Sequence, residues 1–152
     1  MRDDAQVKGL DILPHRAPFL FLDRLVMYSN DASVGQVTFD ADWDFFRGHF
    51  PGYPIVPGVI LLEAMCQSAA AGVLAYRRSL SGTSVRETLL FAGADNVRFR
   101  RPVRPGETFE THAAVRLLKH GVGKFHVRGF VGDVLSAEAD LTCVEQKESA
   151  RC

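Results

Sequence analysis

A long run without proline, from Val59 to about Arg78, constrains this chain more than any other feature. Strong helix formers dominate the run, and Gly82 just beyond it is a typical stop signal. The residues of its first four turns are apolar on almost every face of the predicted helix, which predicts a buried helix rather than a surface one. Glu63 and Gln67 are the polar exceptions, and their spacing of four residues places them on one face. The chain must therefore fold around one long apolar helix.

The same segment invites comparison with a membrane span, because the stretch from Ile55 to Tyr76 is largely apolar. A spanning helix needs about 20 predominantly apolar residues, and Pro57, Glu63 and Gln67 interrupt the stretch. We therefore expect a core helix and no membrane insertion.

The second half of the chain alternates apolar and polar residues with period two, the pattern of half-buried strands. Gly132-Asp133 predicts a two-residue hairpin turn, and residues 120–123 predict a slightly longer one. The strands predicted along the whole chain cover residues 19–28, 33–40, 90–99, 109–117, 125–131 and 135–143. A short turn or helical piece is predicted at 13–18. The fold class is therefore α+β, with an antiparallel sheet of five or six strands curved around one helix.

Glycine and proline are unusually dense between Phe45 and Gly58, which predicts a stiff, shaped loop without regular structure. His49 lies in this loop, and Glu63 follows fourteen positions later inside the apolar helix. A histidine in a partly apolar loop suits a base, and a carboxyl desolvated on a helix suits an acid. Each residue also has a structural interpretation, because most loop histidines and most buried glutamates only form hydrogen bonds.

A binding site for a negatively charged oxygen is predicted where the helix begins. Pro57-Gly58 opens the helix, so the N–H groups of Gly58 and Val59 and the positive end of the helix dipole can face an oxyanion. Gln67 is predicted to hold Glu63 or a loop carbonyl in place. Phe50 and Phe91 are candidates to contact an apolar substrate. An acid, a base and an anion site of this kind are compatible with several reactions.

The remaining chemically active side chains are given structural roles. Four histidines are predicted to lie in strands or turns: His15, His112, His120 and His126. Of these, His15 is predicted to fix the N-terminal turn. Cys66, Cys143 and Cys152 are scattered without metal spacing, so they are predicted to be reduced thiols, with Cys66 packed in the core.

Charge excludes one class of function and leaves one surface feature open. The chain has 18 basic and 18 acidic residues, so it lacks the global positive field of a dedicated nucleic-acid-binding protein. Four arginines nevertheless cluster at Arg98, Arg100, Arg101 and Arg104. They form either a solvated strand end or a contact patch for an acidic partner or a phosphate group.

Residues 48–67 read GHFPGYPIVPGVILLEAMCQ, and this run resembles the signature of the beta-hydroxyacyl-[acyl-carrier-protein] dehydratases of type II fatty acid synthesis, a hot-dog-fold family. The similarity extends over nearly the whole chain. It includes residues 13–16, 18–20, 91–99, 102–103, 105–106 and 123–125.

The resemblance implies one hot-dog dehydratase domain over residues 1–152, with polar ends at about 1–9 and 146–152. It implies dehydration of a (3R)-hydroxyacyl-acyl carrier protein to the trans-2-enoyl form, in fatty acid or related lipid or polyketide synthesis. His49 and Glu63 are then catalytic, and the Gly58 N–H binds the thioester carbonyl. The acid comes from the other subunit of a homodimer, and such dimers often assemble into trimers of dimers.

The resemblance also bears on partners and location. It implies acyl carrier protein as the partner, for which the arginine cluster is a candidate contact patch, and no cofactor or metal beyond the phosphopantetheine arm of the substrate. The polar start MRDDAQVKG lacks the order of a secretory signal, so a cytoplasmic location is expected.

The chain departs from the family pattern at Ala17, where tyrosine is frequent, at Tyr53, where arginine is frequent, and at Cys66, where alanine is common. These differences leave the acyl chain length and the pathway open. Two rival functions also stay open: a hot-dog acyl thioesterase, and a non-catalytic subunit that binds acyl carrier protein.

Overall fold

The computed structural model describes residues 6–83 and 87–147. Parts of the predicted polar ends, residues 1–5 and 148–152, lie outside the described residues, and so does Cys152.

The predicted long helix is present and is one turn longer than its sequence pattern required. This helix, α2, spans Gly58–Ser81, and every residue from Ala64 to Ala75 is buried. Gly82 ends it in the left-handed conformation with φ 66°, and its N–H bonds the carbonyl of Arg78. Its length and composition would allow a membrane span, but most of its apolar stretch is covered by the rest of the fold.

One antiparallel sheet of seven strands covers the helix, in the order β1-β2-β3-β5-β6-β7-β4. Its strands are β1 Val7–Lys8, β2 Arg24–Tyr28, β3 Ala32–Thr38, β4 Glu87–Phe99, β5 Thr108–Lys119, β6 Val122–Val131 and β7 Val134–Lys147. The predicted count of five or six was therefore too low. The strand that the prediction missed is β1, which has only two residues and is too short to show a period.

The sheet wraps the helix, because α2 packs against all strands from β2 to β7. Glycine permits close contact at one point: a Cβ on Gly72 of α2 would lie 2.4 Å from the Ser33 hydroxyl on β3. A single long helix enclosed by an antiparallel sheet is the hot-dog arrangement that the sequence led us to expect.

The hairpin after β6 was predicted correctly, and the one before it was not. Val131 pairs with Val134 across Gly132-Asp133, as expected for a two-residue turn. The turn predicted at 120–123 is shorter, because Lys119 already pairs with Val122. His120 and Gly121 take φ values of 51° and 74°, as a two-residue type I′ turn requires.

In the first half of the chain, three predicted elements differ from those in the structure. The strand predicted at 19–28 begins only at Arg24, because the backbone of Phe19 and Phe21 bonds to the Gln67 side chain instead of to a neighbouring strand. The helical piece predicted at 13–18 lies earlier, as α1 Gly9–Ile12. A 3-10 helix, Asp44–Arg47, occupies the start of the predicted loop.

Strand β4 forms one edge of the sheet and is poorly covered. Leu90 is 42% exposed, Phe91 37% and Phe99 51%. Such an apolar edge is available for pairing with another chain.

Candidate active site

The carboxyl of Glu63 is held in one orientation by its neighbour on the next turn of α2. Gln67 donates from Nε2 to Glu63 Oε1 at 2.9 Å, and Nε2 of His15 lies 3.5 Å from the same oxygen. The Glu63 side chain keeps 18% of its surface exposed. Both contacts fall on Oε1, whereas Oε2 bonds to no group in the described part of the chain, so Oε2 is the oxygen available to exchange a proton.

Gln67 is itself fixed by the N-terminal segment. Its side chain is almost completely buried, its Oε1 accepts the N–H of Phe21 at 2.7 Å, and its Nε2 donates to the carbonyl of Phe19 at 3.1 Å. A buried amide with its donor and acceptor groups satisfied in this way is rigid. Gln67 therefore fixes the position of Glu63.

A cavity of about 190 Å³ opens beside Glu63. It runs between α2, the segment before β2 and the first half of β4. Its lining residues are Pro14, His15, Glu63, Cys66, Gln67, Ala70, Thr88, Leu89, Leu90 and Phe91. One carboxyl at the wall of a largely apolar cavity suits an acyl substrate with a single polar reacting group.

His15 is part of this site, although the sequence gave it only a structural role. Its Nε2 faces Glu63, and its Nδ1 is buried without a hydrogen-bond partner in the described part of the chain. A buried lone pair without a partner costs less than a buried N–H without one, which favours the neutral tautomer with its hydrogen on Nε2, the nitrogen 3.5 Å from Glu63 Oε1. The signal that could have found it was its place in the Leu13–Arg16 stretch that resembles the family.

His49 is oriented by the stiff loop that the sequence predicted. Its Nδ1 lies 3.0 Å from the carbonyl of Ile55, and its ring stacks on Phe50 with centroids 4.0 Å apart. Since a carbonyl oxygen can only accept, Nδ1 carries the hydrogen and Nε2 keeps its lone pair. The backbone of His49 also bonds Phe45 and Ile55, which holds the ring in place.

One chain does not place His49 and Glu63 in the same cavity. His49 is absent from the lining of the cavity that contains Glu63, and so is its stacking partner Phe50. Phe91 does line that cavity, whereas Phe50 is 49% exposed beside His49. The predicted site is therefore divided between two regions of the protomer.

The start of α2 has the free donors that the sequence predicted. The carbonyl of Pro57 accepts from Ile60 and Leu61, whereas the N–H groups of Gly58 and Val59 bond to no other group among residues 6–83 and 87–147. A Cβ on Gly58 would lie 2.8 Å from the Phe99 ring, so the close approach here requires glycine. Two free N–H groups at the positive end of a 24-residue helix suit a developing anion.

The four clustered arginines divide into two pairs. Arg100 forms an ion pair with Glu138, and Arg101 binds both carboxylate oxygens of Glu107. No acidic side chain within the described ranges pairs with Arg98 or Arg104. Only these last two have charges free to meet a partner.

Comparison with known proteins places this arrangement in a family. The model of the FabA-like domain family matches residues 13–140. This chain belongs to the FabA-like domain family.

Individual relatives assign the chain to a narrower group within this family. A 3-hydroxyacyl-[acyl-carrier-protein] dehydratase FabZ from Desulforamulus reducens is 44% identical over 134 residues, covering 86% of this chain and 89% of the relative. One of the same name from Nitratidesulfovibrio vulgaris is 43% identical, covering 92% of this chain and 88% of that protein. Within the FabA-like domain family, the chain is therefore a member of the 3-hydroxyacyl-[acyl-carrier-protein] dehydratases.

A solved structure confirms the fold independently of close sequence similarity. The dehydratase heterocomplex ApeI:P from Xenorhabdus doucetiae superposes with a TM-score of 0.79 at 18% identity, covering 95% of this chain and 94% of the other. At that identity the likeness concerns the fold alone.

Proposed function

We propose that this chain removes water from a 3-hydroxyacyl group carried on the phosphopantetheine arm of acyl carrier protein, forming the trans-2-enoyl thioester. The observation that carries the proposal is the Glu63 carboxyl, fixed by Gln67 at the wall of a largely apolar cavity, in a chain whose relatives bear the name of that dehydratase.

The groups of the site can be assigned to the steps of the elimination. Nε2 of His49 takes a proton from C2, the electron pair left on C2 forms the double bond to C3, and the C3–O bond breaks. Oε2 of Glu63 gives its proton to the departing hydroxyl, which leaves as water. The Gly58 and Val59 N–H groups bind the thioester oxygen while it carries negative charge.

The divided site leads us to propose a homodimer in which His49 of one protomer meets Glu63 of the other. Strand β4 supports the proposal, because it is an edge strand with exposed apolar residues and two of these, Leu90 and Phe91, line the Glu63 cavity. A second copy placed along β4 would cover them and close the cavity. Further assembly into trimers of dimers is proposed from the family resemblance.

Acyl carrier protein is the proposed macromolecular partner, and Arg98 and Arg104 are its proposed contacts. Their guanidinium groups are not engaged by acidic side chains in the described part of the chain, unlike those of Arg100 and Arg101. Arg98→Ala and Arg104→Ala should raise KM for the carrier-bound substrate with little change in kcat, whereas Arg100→Ala, the matched control, should change KM less. Equal effects of all three variants would contradict this assignment.

We also propose that the reaction needs no cofactor or metal, because elimination of water is redox-neutral and the side chains described supply both proton transfers. Full activity after treatment with EDTA is the expected result. The cytoplasmic location remains a prediction.

The purified chain incubated with 3-hydroxybutyryl-acyl carrier protein tests the function directly. Mass spectrometry should show the enoyl-carrier product, one water lighter than the substrate, with no free carrier thiol. Release of the thiol without enoyl product would identify a thioesterase instead. Binding of the carrier without turnover would identify a non-catalytic subunit.

A further inference from the structure

Two cysteines outside the proposed chemistry lie in contact inside the core. The sulfurs of Cys66, on α2, and Cys143, on β7, are 3.4 Å apart, and both are free thiols. Both residues are buried, at 3% and 0% exposure. The sequence predicted reduced, structurally inert thiols, and their 77-residue separation in the chain gave no indication of this contact.

One of the two cysteines borders the cavity beside Glu63. Cys66 lines the cavity beside Glu63, which precedes it by three residues on the same side of α2, whereas Cys143 lies behind it and is not part of the lining. Cys143 pairs with Phe91 of β4 in the sheet, and Phe91 is again a cavity residue. A small molecule that enters the cavity therefore meets Cys66 first, with Cys143 directly behind.

The contact shifts the pKa values of the two thiols in opposite directions. The hydrogen bond to Cys143, together with burial, raises the pKa of Cys66. The hydrogen bond between the two sulfurs lowers the pKa of Cys143. The raised pKa of Cys66 makes its first oxidation slow, because the thiolate is the reactive form of a cysteine.

We propose that Cys66 and Cys143 are a redox-active dithiol, which a peroxide small enough to enter the cavity oxidises to a disulfide that joins α2 to β7 and slows turnover. Cys66 sulfur attacks one peroxide oxygen, the O–O bond breaks, and the hydroxide released takes the thiol proton to leave as water. Cys143 sulfur then attacks the sulfenic acid, the S–O bond breaks, and the departing hydroxide takes the Cys143 thiol proton to leave as a second water. The two sulfurs lose two electrons in total, which reduce the peroxide.

The geometry explains why the disulfide can form and why it should disturb the site. A disulfide needs its sulfurs at about 2.05 Å, so the two must approach each other by a little more than 1 Å. Cys66 lies one turn from Glu63, and a shift of about 1 Å in a reacting group can cost two orders of magnitude in rate. The effect on turnover rests on the proposed function, whereas formation of the disulfide does not.

The chemical test uses the full chain carrying Cys152→Ser, so that only the two core cysteines remain. Hydrogen peroxide should produce a species lighter by two hydrogens, with peptide mapping that joins Cys66 to Cys143, and dithiothreitol should reverse it. Cys66→Ala and Cys143→Ala in the same background should not lose the two hydrogens. Two free thiols after native-state treatment would overturn the proposal.

The route of the oxidant is tested by size. Hydrogen peroxide should form the disulfide at least tenfold faster than cumene hydroperoxide, whose ring hinders entry to the cavity. Equal rates for the two peroxides, or oxidation only in denaturant, would show that the thiols react by unfolding and would overturn the cavity route.

The effect on turnover is measured relative to the untreated rate of each protein. The protein with both core cysteines should lose at least nine-tenths of its rate on oxidation and regain it with dithiothreitol, whereas Cys66→Ala, which lacks the sulfur that reacts first, should keep its own rate. A disulfide that forms without loss of turnover would overturn the functional part of the proposal. A chain without dehydratase activity would still show the disulfide, so the two failures can be told apart.

Discussion

Gln67 donates a hydrogen bond to Glu63 at 2.9 Å while its own carbonyl oxygen accepts the N–H of Phe21 at 2.7 Å. One buried amide thus joins the proposed acid to the segment between α1 and β2. The position of the acid depends on a chain segment that lies about one-third of the protein away in sequence.

Gln67→Leu should therefore weaken both the fold and the site. Leucine has a similar volume but leaves the buried Phe21 N–H without a partner, at a cost of about 1–3 kcal/mol, and also removes the hydrogen bond to the Phe19 carbonyl. Urea unfolding should show a reduced free energy, and kcat should fall more than KM rises.

The matched control is Gln36→Leu, which removes an amide from hydrogen bonds at the sheet surface with Arg24 and Glu110. It should change the free energy of unfolding and kcat far less. Equal losses in the two variants would contradict the special role of Gln67.

Gly58→Ala tests the start of α2. The added Cβ would lie 2.8 Å from the Phe99 ring, so either the ring or the first helical turn must shift, and the free N–H groups would move with it. Turnover should fall by about tenfold or more, because the loss of one oxyanion donor costs 10²–10³ in rate in other enzymes.

Gly48→Ala is the comparison for this position, since a Cβ there would meet nothing within 4 Å. It should change turnover less than Gly58→Ala does. A normal rate in Gly58→Ala would remove the helix start from the mechanism.

The ion pair between Arg101 and Glu107 should make part of the stability depend on acid pH. The hydrogen bond from Arg101 lowers the pKa of Glu107 below its ordinary 4.5. Because the folded-state pKa is the lower one, the stabilisation is complete above pH 4.5 and is lost as the pH falls through the folded value.

Glu107→Gln should accordingly lower the free energy of unfolding at pH 7, and its difference from the unchanged chain should shrink below pH 4.5. Urea titrations at a series of pH values measure this difference. Asp133→Asn, in the β6–β7 turn, has no ion pair to lose among the described residues and should show no comparable trend. A constant difference between pH 7 and pH 3 for Glu107→Gln would contradict the assignment.

His49→Ala and Glu63→Gln should each lower kcat/KM by at least about 100-fold, the usual loss when a general acid or base is removed. Circular dichroism and the thermal midpoint should show that both variants fold. A near-normal rate in either variant would exclude that residue from proton transfer.

Local patterns predicted the elements that local forces determine. Helix propensity and the Gly82 stop signal located α2, and alternation located β5 to β7, because these features depend on neighbours in sequence. The strand predicted at 19–28 failed over its first five residues because the Gln67 side chain, 46 positions from Phe21, takes the backbone groups that a strand would use.

The residues of the candidate site divide in the same way, into those that local sequence indicates and those that depend on distant contacts. His49, Glu63 and the donors at Gly58 were predicted from residue type and motif. The contact of His15 with Glu63 and that of Cys66 with Cys143 are made between distant segments, so residue spacing does not predict them. Only the resemblance of the Leu13–Arg16 stretch to the family pointed to His15.

Complementation between two inactive variants tests the central claim, that each active site takes its base from one protomer and its acid from the other. His49→Ala and Glu63→Gln chains, carrying different tags, are co-expressed and the mixed dimer is isolated. One of its two sites then has both intact residues, so the mixed dimer should recover about half of the normal kcat. A mixed dimer as inactive as its two parent variants would contradict the shared site. It would show that each active site takes both residues from one protomer.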